Sequence, residues 1–262
     1  MTFQGVGNVE NYTDVLKVNN LDLGEYDFVD FGCSNGKSLD FCALTFGGNG
    51  VGIDIDSNKV LTAKRNIINS VTGNHQVVQG DITKLDTKIL ENTVKFTSCI
   101  HFLEHVDGYN TVKNILQNAI NISTDFIFIM QPFFDKNAEL FEKGFKVAYS
   151  DWNGHSNLLT SYDFFRLCNF SPSIKDFIIF ARIPILDSTD KKILPLDAPI
   201  DSHEYDLKYH SKKEFCTFEN LFSEIGVFIL LKDDVPVDKY LDKLYKKYGG
   251  EKRIIYDSRK II

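Results

Sequence analysis

Four clusters of residues in this chain of 262 could do chemistry, and three of them stand where apolar runs end. Residues 29–38 read VDFGCSNGKS. Gly32 and Gly36 let the backbone turn sharply after the run and let a ligand approach main-chain N–H groups at a helix N-terminus; Asp30 stands two residues before the first glycine. Asp54, in VGIDID, comes twenty-two residues after Gly32, placed to accept hydrogen bonds from both hydroxyls of a ribose, with Ile55 beside it. Gly80-Asp81-Ile82 follows a third run, where Asp81 could receive an adenine amino group while Ile82 packs on the ring. Three consecutive ends thus sketch a site for an adenosine. The fourth cluster is imidazole-rich, with His101, Glu104 and His105 in HFLEHV and His155 in WNGHSNLLTSYDFF. A nicotinamide dinucleotide also wants glycines and an acid some twenty residues on, but its fingerprint is G-x-G-x-x-G. Ser34 and Lys37 stand where two of those glycines would be.

The elements that must hold these residues follow from periodicity. Residues 26–31 read as a strand, and SLDFCALTF after the glycine turn as a helix. Gly47, Gly48 and Gly50 break the chain before a second strand at 51–55, and Ser57 reads as the N-cap of the next helix. Strands at 75–79, 96–101 and 125–130 follow, with a helix around 109–122. Such alternation implies an α/β fold: a doubly wound, mostly parallel sheet with helices on both faces and ligands at the carboxyl ends of its strands. A helix at 161–168 leads into a strand at 175–183. The last strand, 226–231, comes only after residues 186–224, a charged stretch that reads as an insertion, and 233–262 reads as a basic, helical tail.

D-x-G-x-x-x-G, G-I-D, G-D-I and HFLEHV, in that order over about residues 20–185, resemble the seven-stranded, class I S-adenosylmethionine-dependent methyltransferases. The resemblance implies a seven-stranded sheet and S-adenosylmethionine as cofactor. It implies that Gly32, Cys33 and Gly36 line the methionine part, that Asp54 holds the ribose, that Asp81 and Ile82 hold adenine, that the backbone near His101 faces the sulfonium, and that Asp30, Asn35, Ile55 and His101 also belong to the cofactor site. Ser34 replaces the middle glycine of the family's G-x-G-x-G.

Methyl transfer from a sulfonium is an in-line displacement, in which orientation alone supplies on the order of 7–11 kcal/mol. A hydroxyl acceptor must also lose a proton, and His101 and His155 are the candidate bases. Glu104, His105 and His155 are similar to the metal-site motif of the small-RNA 2′-O-methyltransferases, with His101 where that family has Glu. This likeness implies a divalent metal on Glu104, His105 and His155, able to lower the pKa of a hydroxyl. The acceptor pocket is expected from residues 131–145, from 152–155 and from 186–224 acting as a lid. Phe133, Phe134, Trp152, Tyr205 and Tyr209 are candidate walls, and Lys208, His210, Lys212 and Lys213 a candidate anion site. His75, His203 and His210 read as surface or lid residues. At a finer level the chain resembles small bacterial methyltransferases of surface-polysaccharide pathways, which implies O-methylation of a sugar, a phosphorylated sugar or a phosphoramidate-type intermediate. Two alternatives fit the same residues: a metal-dependent 2′-O-methyltransferase acting on an RNA terminus, and an inactive cofactor-binding interaction protein.

Composition narrows the partners. With 43% apolar and 25% charged residues the chain is of globular type. Its net charge of −7 argues against a nucleic-acid partner and for a small-molecule acceptor. Residues 239–262 hold eight Lys or Arg and three Asp or Glu, so this end carries +5 and the remainder −12. The tail could dock on an acidic surface or a second subunit, as in a homodimer. Five cysteines without a C-x-x-C pair fit a reducing cytoplasm, and no apolar run approaches the ~18 residues of a membrane span.

Overall fold

A computed structural model describes residues 23–68, 70–85, 92–246 and 252–260. Its elements are β1 (Phe28–Phe31), α1 (Lys37–Phe46), β2 (Gly50–Asp54), α2 (Ser57–Ile67), β3 (Gln76–Gln79), β4 (Val94–Ile100), α3 (Tyr109–Ile122) and β5 (Ser123–Pro132). Next come α4 (Asn137–Glu142), β6 (Phe145–Val147), α5 (Ser161–Cys168), β7 (Asp176–Pro184), β8 (Ile193–Pro195), β9 (Phe222–Leu230), α6 (Val237–Lys246) and β10 (Arg253–Asp257). The main sheet runs β10-β7-β9-β5-β4-β1-β2-β3. Strands β1 to β5 pair in parallel, and β9 lies antiparallel between β5 and β7.

Period-two alternation divides the side chains between two layers. Phe28 faces α1 and α6, in a cluster with Leu39, Leu241 and Leu244, while its neighbour Val29 joins Ile115, Leu116 and Phe164 on the other face. Parallel register stacks the rings of Phe28, Phe96 and Phe126, with centroids 4.8 and 4.7 Å apart. Strand order reverses at β1, whose neighbours are β2 and β4, so the loops after β1 and β4 splay apart at the carboxyl edge and leave a crevice.

Several boundaries differ from the sequence reading. The sheet has eight strands rather than seven, because residues of the tail form β10, antiparallel to β7. The tail is therefore a helix followed by a strand, packed on its own domain; residues 247–251, 261 and 262 lie outside the described ones. Asp56 rather than Ser57 caps α2, accepting from the N–H groups of Asn58 at 2.8 Å and Lys59 at 3.2 Å. Strand β9 begins at Phe222, so Phe222, Ser223 and Glu224 belong to the sheet and not to the insertion. Within the insertion, β8 pairs antiparallel with β6 and buries Ile193 and Leu194 fully.

Candidate functional site

Two adjoining cavities open on the carboxyl edge between the loops that follow β1 and β4. One, of about 360 Å³, is lined by Gly32, Asp54, Ile55, Gly80, Asp81, Ile82 and Phe102 among others. The other, of about 330 Å³, is lined by Gly32, Cys33, Ser34, Asn35, Ser38, His101 and Met130 among others. Gly32 lines both. Its φ is +72°, and an added Cβ would lie 2.2 Å from Cδ2 of Phe102, so the turn and the space beside it both need glycine.

Asp54 ties this loop to β2. Its Oδ2 accepts from the N–H of Ser34 at 2.8 Å and its Oδ1 from the N–H of Asp56 at 2.9 Å. Each carboxylate oxygen keeps a further lone pair, enough to receive the two hydroxyls of a ribose. Asp81 is more committed: Oδ1 accepts from the N–H of Thr83 at 3.0 Å and from its hydroxyl at 2.6 Å, and Oδ2 meets Lys84 Nζ at 3.0 Å. Burial works against ionisation of Asp81, but the Thr83 and Lys84 donors prevail and hold its pKa below the usual carboxylate value. Ile82 is buried and forms part of the same wall.

Of the residues assigned to the cofactor, Asp30 lines neither cavity, and Cys33 lines the glycine-loop cavity with its side chain buried. Asp30 sits beneath the loop, fully buried on the α1 face, and lines neither cavity. It accepts from the hydroxyl of Ser38 and, at 2.5 Å, from that of Ser98, and burial pushes its pKa up to about 7. Asp30 therefore braces the start of α1 from below. The Cys33 side chain is buried, in space that a Cβ on Gly52 would invade at 2.6 Å from Sγ.

A third cavity, of about 250 Å³, is lined by His101, Glu104, His105, Pro132, Tyr149, Trp152, His155, Lys192, Ser223 and Glu224. His101 lines this cavity and the one around the glycine loop, standing where they meet. Its backbone is left-handed, with φ +48°, and its ring lies between two carboxylates: Nδ1 is 3.4 Å from Glu104 Oε1 and Nε2 is 3.4 Å from Glu224 Oε1. Burial opposes the charge on His101, but Glu104 and Glu224 outweigh it and raise its pKa to about 9. The two carboxylates favour the protonated ring, which lacks the lone pair a general base needs, so this geometry favours His155 over His101 for that role. Glu224 also meets Arg182, Oε2 to Nε 3.0 Å, and it stays below its usual pKa because His101 and Arg182 overcome the effect of burial.

Glu104, His105 and His155 do converge, each offering one ligand atom within 4.8 Å of the others. Nδ1 of His105 lies 2.7 Å from the carbonyl of Gly154 and Nδ1 of His155 lies 2.8 Å from that of Tyr149. With Nδ1 donating, each ring presents Nε2 as an acceptor, the usual arrangement of a ligating histidine. Glu104 Oε2 is buried with no hydrogen-bond partner, so the donor set fits a divalent cation. Burial lowers the pKa of His155, which keeps its Nε2 lone pair available at neutral pH.

The acceptor-side walls differ from those expected. Trp152 lines the third cavity, but Phe133 and Phe134 are core residues, Tyr209 is exposed, and Tyr205 packs under Lys213. The lysine in that cavity is Lys192, whose Nζ donates to Ser223 Oγ at 2.6 Å; Lys213 instead donates to the carbonyls of Asp190 and Ile193. His75 is buried, accepting from the N–H of Gly50 at 3.0 Å, and His203 packs against Trp152 with centroids 4.7 Å apart. Glu224, Arg182 and Lys192 went unrecognised in the sequence. A carboxylate in an otherwise apolar run, SEIGVFILL, was the one available signal.

Residues 28–122 match the family model of a methyltransferase domain. No curated protein matches the sequence. Among solved structures, the chain is similar to an S-adenosylmethionine-dependent methyltransferase from Archaeoglobus fulgidus, at 16% identity over 78% of this chain and 85% of that one, with a TM-score of 0.51. It is also similar to a complex of a methyltransferase and its activator from Haloferax volcanii, at 12% identity over 80% and 84% of the two chains and a TM-score of 0.50. A looser likeness is to magnesium protoporphyrin IX methyltransferase from Synechocystis with S-adenosylhomocysteine bound, at 12% identity over 81% and 77% and a TM-score of 0.46. Identities this low speak to the fold. No helix among the described residues is long and apolar enough to cross a membrane.

Proposed function

We propose that this chain is a class I S-adenosylmethionine-dependent methyltransferase that methylates an oxygen of a small acceptor held in the cavity between His101, His155 and Lys192. The observation that carries the reading is the meeting of the glycine-loop cavity and the acceptor cavity at one side chain, His101. S-adenosylmethionine supplies an electrophilic methyl group. The protein's part is to align the acceptor oxygen with it and to exclude water. Asp54 and Asp81 hold the nucleoside, the backbone of residues 32–36 takes the amino-acid end, and His101 fixes the boundary between donor and acceptor. When the acceptor is a hydroxyl, its proton passes to Nε2 of His155. An anionic oxygen needs no base, and Lys192 then offers a counter-charge.

The volume of about 250 Å³ and the Lys192, Ser223 and histidine side chains in the lining support a sugar, a phosphorylated sugar or a phosphoramidate-type acceptor of the surface-polysaccharide kind over a polymer. A metal-assisted form of the same reaction is favoured by the unpartnered Glu104 Oε2. Glu104, His105 and His155 would hold a divalent cation, which would acidify an acceptor hydroxyl bound to it. His155 would then act as a ligand.

Titration calorimetry with S-adenosylhomocysteine, followed by methyl transfer from labelled cofactor to a panel of sugars and sugar phosphates with and without chelator, tests the reading. Binding of S-adenosylhomocysteine, transfer to a panel member, and loss of turnover in His155→Ala with cofactor affinity retained are expected. Absence of S-adenosylhomocysteine binding would overturn it. Equal rates in chelator would remove the metal-assisted form.

A further inference from the structure

Beside the glycine loop, on the α1 face of the sheet, lies a cleft of about 550 Å³ to which the methyl transfer assigns no role. One wall is α1, which contributes Lys37, Phe41 and Leu44, and the other is α6, which contributes Lys243, Leu244 and Lys246; Arg182 at the end of β7 closes one side. Three lysines from two helices, beside an Arg182 that is paired with Glu224, thus surround one space in a protein whose net charge is −7. The opposing charge is Asp40, whose Oδ1 already accepts from the hydroxyls of Ser70 at 2.6 Å and Thr72 at 2.5 Å.

Among the described residues, Lys37, Lys243 and Lys246 make no ion pair with a carboxylate, whereas Lys95, Lys175 and Lys232 each do. The two walls are tied together. Lys243 Nζ donates to the carbonyl of Thr45 at 2.7 Å, and Tyr245 Oη donates to the carbonyl of Ala181 at 2.6 Å. The cleft is therefore built into the packing of α6 on α1 and β7. Its floor is apolar, and Leu44 is 68% exposed there, a surface that a ligand could cover.

We propose that this cleft binds a small phosphate-bearing molecule with an apolar body, the phosphate among Lys37, Lys243 and Lys246 and the body against Phe41, Leu44 and Leu244. Cations without carboxylate partners at a cavity mouth attract a dianionic group, and the apolar floor supplies the remainder of the affinity. The site is distinct from the nucleoside cavity, with which it shares no lining residue. It touches the glycine-loop cavity through Lys37 and Phe41. The inference stands apart from the identity of the methyl acceptor.

The test is calorimetric titration of the full chain with phenyl phosphate, in the presence of saturating S-adenosylhomocysteine. Saturable binding at one site is expected, weaker for inorganic phosphate and for phenol. The double variant Lys243→Ala/Lys246→Ala should lose about tenfold or more, roughly 1.4 kcal/mol, with S-adenosylhomocysteine affinity unchanged as the control for folding. The charge-preserving pair Lys243→Arg/Lys246→Arg should retain binding. No saturable binding by the parent chain, or equal binding by the double alanine variant, would overturn the proposal. Displacement of phenyl phosphate by S-adenosylhomocysteine would also overturn it, by assigning the cations to the cofactor.

Discussion

Replacing Gly32 with alanine tests the cofactor groove at its most constrained point. Two costs are separable. The first is conformational: at φ +72° an L-residue loses about 1–2 kcal/mol against the adjacent carbonyl. The second is steric, because the new Cβ would lie 2.2, 2.5 and 2.9 Å from Cδ2, Cγ and Cβ of Phe102. The last of these is the stem of the side chain, so rotating the ring cannot clear the overlap. Forcing such a contact costs about 1–3 kcal/mol. The sum is about 2–5 kcal/mol. Gly144→Ala isolates the first cost, since its φ is +81° and nothing lies within 4 Å of the added atom. Gly226→Ala isolates the second, since its Cβ would come 2.2 Å from Cζ of Phe180 in an ordinary strand conformation. Urea unfolding of the three variants reads the stabilities, and titration with S-adenosylhomocysteine reads the groove. Gly32→Ala should be the least stable, and because Phe102 lines the nucleoside cavity it should bind S-adenosylhomocysteine at least about tenfold more weakly. Gly144→Ala should bind it as the parent does. If Gly32→Ala matched Gly144→Ala in both measurements, the close approach of Phe102 would not constrain the groove.

Three further outcomes follow from the same geometry. Asp30 has a folded-state pKa of about 7, above its unfolded value, so the native state holds a proton that the unfolded chain has released. Its contribution to stability is full below the unfolded pKa and is lost as pH rises towards 7, with a slope of up to about 1.4 kcal/mol per pH unit; Asp30→Asn should flatten that part of the stability–pH curve. Glu224→Ala removes the carboxylate that faces both His101 and Arg182 and should cost on the order of 3 kcal/mol in urea unfolding, a loss that Glu224→Gln should reduce. Asp201 grips the loop that carries Trp152 and His155 by accepting from the N–H of Asn153 at 2.8 Å and from its side-chain amide at 2.6 Å. Trp152 is the only tryptophan, so acrylamide quenching of intrinsic fluorescence should rise in Asp201→Ala and stay at the parental level in a variant of an exposed residue remote from this loop, such as Lys59→Ala.

The glycine turn after β1, the acid that closes β2 and the turn after β3 were legible in the sequence because each is a local device. A glycine at positive φ, a carboxylate at a strand end and a capping residue depend on a few consecutive residues. The helix from Ser161 to Cys168 was legible for the same reason, its capping box being complete between Thr160 and Asp163. The depth of Asp30 was not legible, because it comes from the packing of α1 over that face of β1, where the hydroxyls of Ser38 and Ser98 reach it.

What only the tertiary structure decided is the electrostatics of the acceptor side. Strand register sets Glu224 opposite Arg182 on one side and Pro132 on the other, and this brings Glu224 within reach of His101. An imidazole that the sequence offers as a base comes to lie between two carboxylates that favour its protonated form. In the same way, pairing of β8 with β6 carries Lys192 into the cavity, and β10 lengthens the sheet by pairing with β7. Periodicity and spacing report which face a residue takes within its own element. They carry no record of which distant strand will lie alongside it, because that choice is made by the packing of the whole sheet and its helices.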